Sequence, residues 1–134
     1  MTTEEKNLLL KDLCARLPYG VCCRTPYSTR ATLESICNNG HNIIDCTFVG
    51  DDNEHFIESI KPYLRPMSSM TEEEFHDIII IDNKRGIFSS RHLTLHLDGE
   101  VIDYLNSKMF DWRNLISKGL AIEAPEGMYN YNQQ

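Results

Sequence analysis

The segment Ile60-Lys61-Pro62-Tyr63-Leu64-Arg65-Pro66-Met67-Ser68-Ser69-Met70-Thr71-Glu72-Glu73-Glu74-Phe75 constrains this chain more than any other. Pro62 and Pro66 fix their own φ and lack an amide donor, so no regular helix runs through them. Beyond them, Thr71-x-x-Glu74 has the form of a capping box, which opens a helix because side chains satisfy the orphan amides of its first turn. One kind of structure therefore ends here and another begins. We expect residues 61–71 to be a proline-bracketed joint between a strand-rich part, 1–60, and a mainly helical part, 72–129, followed by a polar tail at 130–134.

Upstream of the joint, Leu9, Leu10, Leu13, Cys14 and Leu17 recur at helical spacing, and Thr2-x-x-Glu5 offers a capping box ahead of them. This predicts a helix over 3–17 that stops at Pro18. Residues 19–25, closed by Pro26, read as a short strand. Alternation over 30–37 predicts a second strand, Asn38-Asn39-Gly40 a tight turn, and 43–49 a third strand returning antiparallel. After a polar turn at 50–53, Phe56–Ile60 reads as a fourth strand or as one helical turn leading into Pro62, with strand or extended backbone favoured since the residue before a proline is pushed away from the α region. Short strands of this kind must curl or lean on a helix to bury a face. The expected architecture is α+β: an N-terminal helix, a small antiparallel β-meander of SH3-like, partly closed form, then short C-terminal helices.

Downstream, Thr71 should cap a helix whose first turn holds Glu72, Glu73 and Glu74, where the helix dipole favours negative charge. Phe75, Ile78 and Ile79 are its expected buried face. The β-branched run Ile78–Ile81 also suits a strand pairing with 93–97, so the segment 78–97 stays open between helix and hairpin. Asp98 is placed to cap a helix through Val101, Ile102, Leu105 and Met109, and Asp111 a second one through Leu115 and Ile116. Gly119, with Leu120 folding back onto Leu115, has the pattern of a Schellman motif. Two such helices make a corner like a helix-turn-helix, although only Arg113, Asn114 and Lys118 could serve it against DNA.

A formal charge of −7 and the absence of a basic run exclude the electrostatic footprint of most nucleic-acid binders. The opening residues are polar and partly acidic, unlike a secretory signal, and the longest β-branched run, Ile78–Ile81, is far too short to span a bilayer. We therefore expect a cytoplasmic protein with no membrane partner. Five cysteines, an odd count, argue for reduced thiols rather than disulfides.

Candidate chemistry is thin. Cys37-x3-His41-x4-Cys46 brackets the predicted hairpin, the one place where thiolates and imidazole approach a zinc pattern. It lacks the tight cysteine pair of a zinc knuckle, so small buried thiols are the better reading, and no metal or cofactor is expected. No glycine-rich phosphate loop and no cysteine nucleophile signature is present, so we expect no enzyme. What stands out is adaptable and amphipathic side chains: Tyr63, Met67 and Met70 in the joint, Trp112 at the corner, Met128 and Tyr129 in the tail. These types are enriched at protein contacts and form the candidate binding set. For Tyr63, Leu64, Met67 and Met70, gluing the two parts of the chain together is the favoured role, whereas the segment Ala124–Tyr129 is expected to pack across a neighbouring surface, its own or a partner's.

The segments Lys61–Glu74, Val101–Asn106, Asp111-x-Arg113-x-Leu115-Ile116-x-Lys118-Gly119-Leu120-Ala121 and Glu123–Tyr129 resemble those of small uncharacterised proteins of gut anaerobic bacteria, their prophages and phages. The resemblance implies a phage or mobile-element setting and transfers no catalytic residue; Lys84–Leu95 reads as an addition to that pattern. The expected function is a non-enzymatic accessory protein that binds another protein or self-associates. The alternative is a nucleic-acid-associated accessory protein.

Overall fold

Helix α1 (Thr3–Arg16) starts where the capping box places it: the Glu5 amide donates to the Thr2 hydroxyl at 3.0 Å and the Thr2 amide to the Glu5 carboxylate at 2.9 Å. It gives way to a 3-10 turn, Leu17–Tyr19, because Pro18 cannot continue the ladder, and Gly20 at φ 76° redirects the chain. The computed structural model describes residues 1–83 and 99–129.

Strands β1 (Cys22–Arg24), β2 (Ala31–Asn38), β3 (Ile44–Phe48) and β4 (Asp51–Phe56) form an antiparallel meander. Strand β5 (Lys61–Leu64) then crosses to the free side of β1, and β6 (Ile122–Glu123) joins β5 in parallel, giving the order β4-β3-β2-β1-β5-β6. Register shifts at Leu33/Ser35 and Cys46/Phe48 add local twist. The fold is α+β, with the sheet curled as a half-barrel.

Three readings of this half change. Asp51–Asn53, expected as turn, are strand residues, because Gly50 at φ 79° completes the turn and Asp51 already pairs with Phe48. Residues 57–59 take the helical-turn alternative rather than the favoured strand, forming a 3-10 turn that sends both Ile57 and Ile60 fully into the core. The joint at 61–71 is not a connector throughout: its first residues are β5, whose Pro62 faces Cys23 of β1 and whose Tyr63 and Leu64 are buried.

Helices α2 (Glu72–Asn83) and α3 (Gly99–Ser107) follow. Ile78–Ile81 is helical, with Ile78 fully buried, so the capping box and packing outweigh the β preference of that run. The expected partner strand at 93–97, the Asp98 cap and the tail at 130–134 lie outside the described residues. The second C-terminal helix is replaced by a run of turns, in which Asn114 adopts φ 64° and the Asp111 carboxylate accepts the amides of Leu115 at 2.7 Å and Ile116 at 3.0 Å. A left-handed residue breaks the helical path, so there is no helix-turn-helix corner. The Schellman bonds nevertheless form, Leu120 amide to Leu115 carbonyl at 3.0 Å and Gly119 amide to Ile116 carbonyl at 3.1 Å.

The main core joins Leu9 and Leu13 of α1 to Leu33, Cys46 and Phe48 of the sheet and to Met109, Leu115 and Leu120 from the far end of the chain. A second cluster, Ile78, Val101, Leu105 and Phe110, closes α2 on α3, with Met67, Met70, Tyr104 and Trp112 at its margin. Each fully buried side chain of this size contributes about 1.5–3 kcal/mol of transfer free energy.

Candidate functional site

Arg65, at the end of β5, ties the sheet to both helices. Its amide donates to the Met109 carbonyl at 2.7 Å and its carbonyl accepts the Asp111 amide at 2.8 Å, which fastens β5 to the chain leaving α3. Its guanidinium stacks over the Phe110 ring, 4.2 Å from the centroid, and grips Glu74 with two bonds of 2.7 Å. Glu74 is also the capping residue of α2, accepting the Thr71 amide at 3.0 Å while its own amide donates to the Thr71 hydroxyl at 3.1 Å. Partial burial raises the Glu74 pKa, but the bonds and charge of Arg65 and the Thr71 amide outweigh it, leaving the carboxyl below its ordinary value.

Two recesses meet at Thr71. The first is an apolar groove of about 450 Å³ lined by Met67, Met70, Thr71, Glu72 and Phe75. It forms because Pro66 delivers the chain into a 3-10 turn, Met67–Ser69, which sets both methionines beside the first turn of α2, half-buried against the second cluster. The second is a cleft of about 550 Å³ between Arg65, the start of α2, Lys108 and the segment Glu123–Gly127. Its wall carries Glu73, Glu74, Asp77, Glu123 and Glu126 against Arg65 and Lys108. Glu74 is paired with Arg65, and Asp77 accepts the Tyr104 hydroxyl at 2.9 Å. Burial, followed by the Asp77 carboxylate, pushes the Tyr104 hydroxyl well above its ordinary pKa. Glu73, Glu123 and Glu126 are exposed and make no ion pair among the described residues. Among the described residues, neither recess is lined by histidine or cysteine.

The candidate binding residues divide between this face and the interior. Met67 and Met70 line the groove. Tyr63 is buried, its hydroxyl donating to the Thr29 carbonyl at 2.6 Å. Tyr129 folds onto the molecule's own sheet, where its hydroxyl accepts the Cys22 amide and donates to the Tyr63 carbonyl, both at 2.8 Å. Arg30 holds the Met128 carbonyl at 3.1 Å, so the segment 124–129 straps β1 and β5 and forms the far wall of the cleft. Trp112 donates from Nε1 to Asn106 at 2.9 Å, with the Arg113 guanidinium 4.1 Å over its ring.

The three metal candidates do not converge. Cys46 pairs with Ile36 and lies in the core, whereas Cys37 is the next residue on β2, is exposed on the other face, and contacts Asn39 at 3.1 Å. Cys37 is thus not the small buried thiol expected of it. His41 is exposed in the turn at φ 51°. Burial pushes the Cys46 thiol up to about 12 and that of Cys23 higher still, so both stay protonated and unreactive at neutral pH.

Two polar constellations were missed from the sequence. Asp12 and Arg16 on α1 are both fully buried, with bonds of 2.8 and 3.1 Å between them, and Arg113 reaches the same carboxylate at 2.8 Å. Arg16 also donates to the Phe110 carbonyl at 2.6 Å, while its Nη1 has no partner. Their spacing of one helical turn was a signal, but it reads as an ordinary surface pair. On β4, His55 faces inward opposite Cys46, bonds Asp51 at 2.8 Å and lies 5.7 Å from the Tyr27 and Phe48 rings, while Phe56 faces solvent. That register inverts the usual order of Phe inside and His outside.

No protein-family model matches this chain, and neither a curated protein nor a solved structure is significantly similar to it. Among the described residues, no helix is long and apolar enough to cross a membrane, and no group of histidine, cysteine and carboxylate side chains is placed to hold a metal ion.

Proposed function

We propose that the protein is a non-enzymatic accessory protein, of phage or mobile-element origin, that acts by binding another protein on the face where the 67–69 turn meets α2. The observation that carries this reading is the groove itself. Met67, Met70 and Phe75 present flexible, polarisable and aromatic surface, half-exposed, with no described element laid across it. The phage setting is supported by the resemblance of the surrounding segments. Of the other four candidates, Tyr63, Trp112 and Tyr129 spend their polar ends on intramolecular bonds and Met128 sits on the strap, which concentrates the contact function on Met67 and Met70. Exposed carboxylates beside the groove disfavour a phosphate backbone there, which weighs against the nucleic-acid alternative.

A photoreactive amino acid introduced at Met70 in cells producing the protein tests this. A discrete protein adduct from position 70, and none from the exposed Glu34 on β2, is the expected result. Adducts to nucleic acid, or no adduct from position 70, would overturn the reading.

A further inference from the structure

Resting on that reading, we infer that the segment taken by this face is amphipathic and basic, placing apolar side chains in the methionine groove and Lys or Arg over the adjoining acidic cleft. Groove and cleft share Thr71, so one short segment crosses from one to the other without leaving the surface. Both volumes fall in the range of about 300–1,000 Å³ usual for binding recesses. Among the described residues, Glu72 at its rim is the groove's one charge, so the apolar anchors set affinity and the cleft sets which flanking sequence is accepted.

The cleft is lopsided. Among the described residues of its lining, five carboxylates outnumber two cations, and Arg65 is committed to Glu74 by a bidentate bond. Glu73 comes from α2, Glu123 from β6 and Glu126 from the strap, so residues distant in sequence are gathered to one rim. Like charges drawn together on a rim cost folding free energy unless something positive offsets them, and an incoming cation does so while steering its own approach. A second copy of this chain, at net −7, and a nucleic acid both bring the wrong sign. A neutral apolar segment would leave the cleft unused.

Synthetic peptides sharing the same leucine and methionine anchors, but flanked by Lys/Arg, by Ser or by Glu, test this by fluorescence anisotropy against the whole protein. The basic set is expected to bind roughly tenfold tighter than the Ser set, as two or three rim charge pairs would give, with the Glu set weakest. Added salt should shrink that preference by screening. The triple variant Glu73→Gln, Glu123→Gln, Glu126→Gln should level the three sets, while Met70→Lys removes binding of all of them. Met70→Gln, a milder change at a half-exposed site, serves if the lysine variant unfolds. Equal binding of the Lys/Arg and Ser sets, a preference that survives the triple variant, or no binding by any set would overturn this inference. It fails separately from the interaction reading: a Met70 adduct whose partner contacts the face through an acidic or neutral segment sinks the basic occupant and leaves protein binding standing. No adduct at Met70 sinks both.

Discussion

At the residue scale, burial decides which polar groups matter. Asp12 is wholly enclosed and holds Arg16 and Arg113 together, so it neutralises charge that cannot be resolvated. Asp12→Ala leaves Arg16 as an uncompensated buried cation, and we expect a loss of about 3–5 kcal/mol, read from urea unfolding. A loss within the range of a surface pair, under about 1 kcal/mol, would mean that Arg16 finds water. The thiols divide by the same logic. Cys14 and Cys37 are exposed, whereas Cys22, Cys23 and Cys46 are buried. In native protein at mildly alkaline pH, a thiol reagent should modify Cys37 and Cys14 only, Cys14 more slowly because partial burial raises its pKa. Mass spectrometry of the labelled peptides checks this, and the other three should label only after unfolding.

At the scale of elements, the start of α2 depends on a carboxylate that two partners share. The Glu74 pKa lies below its unfolded value, so the unfolded chain binds the proton more readily. The stability from the Arg65–Glu74 contact is therefore fully present above the unfolded glutamate range, ~4.3, and is lost as pH falls through the lowered native value. Glu74→Gln should destabilise the protein at neutral pH and lose less on acidification than the wild type. Denaturant midpoints at pH 7 and in the acid range check this, and parallel acid slopes for the two proteins would count against it. The same capping box settles the ambiguity of Ile78–Ile81. Once Thr71 and Glu74 satisfy the first-turn amides and Ile78 enters the cluster with Val101 and Leu105, the helix has more to gain than a strand would.

At the scale of the whole molecule, the strap at 124–129 makes the cleft. The Tyr129 hydroxyl joins β1 and β5 to the strap, and the Ala124 amide donates to the Leu64 carbonyl at 2.7 Å. Tyr129→Phe removes the acceptor of the Cys22 amide, and we expect a cost of about 1–3 kcal/mol together with faster hydrogen exchange at Ala124. Unchanged exchange there would show that the strap is held without the Tyr129 hydroxyl, by the β5–β6 pairing and the Arg30–Met128 bond. Such a change should also loosen the cleft without touching the methionine groove, which lies on the other side of Thr71.

The α+β class was legible in the sequence, and so were the two capping boxes, a turn near Gly40, one or two residues later than the Asn38–Gly40 signal placed it, and the Schellman motif at Gly119, because these local features depend on groups only a few residues apart. The bounds of β4, the absorption of Lys61–Leu64 into the sheet, the loss of the helix after Asp111 and the gathering of Glu73, Glu123 and Glu126 were not. The capture of Lys61–Leu64 by the sheet and the gathering of the carboxylates rest on pairings between residues far apart in the chain: Pro62 against Cys23, Arg65 against Phe110, Tyr63 against Ile122. Local propensity carries no information about which distant strand or ring will be adjacent, whereas tertiary packing chooses it by the apolar surface it buries and the polar groups it leaves satisfied.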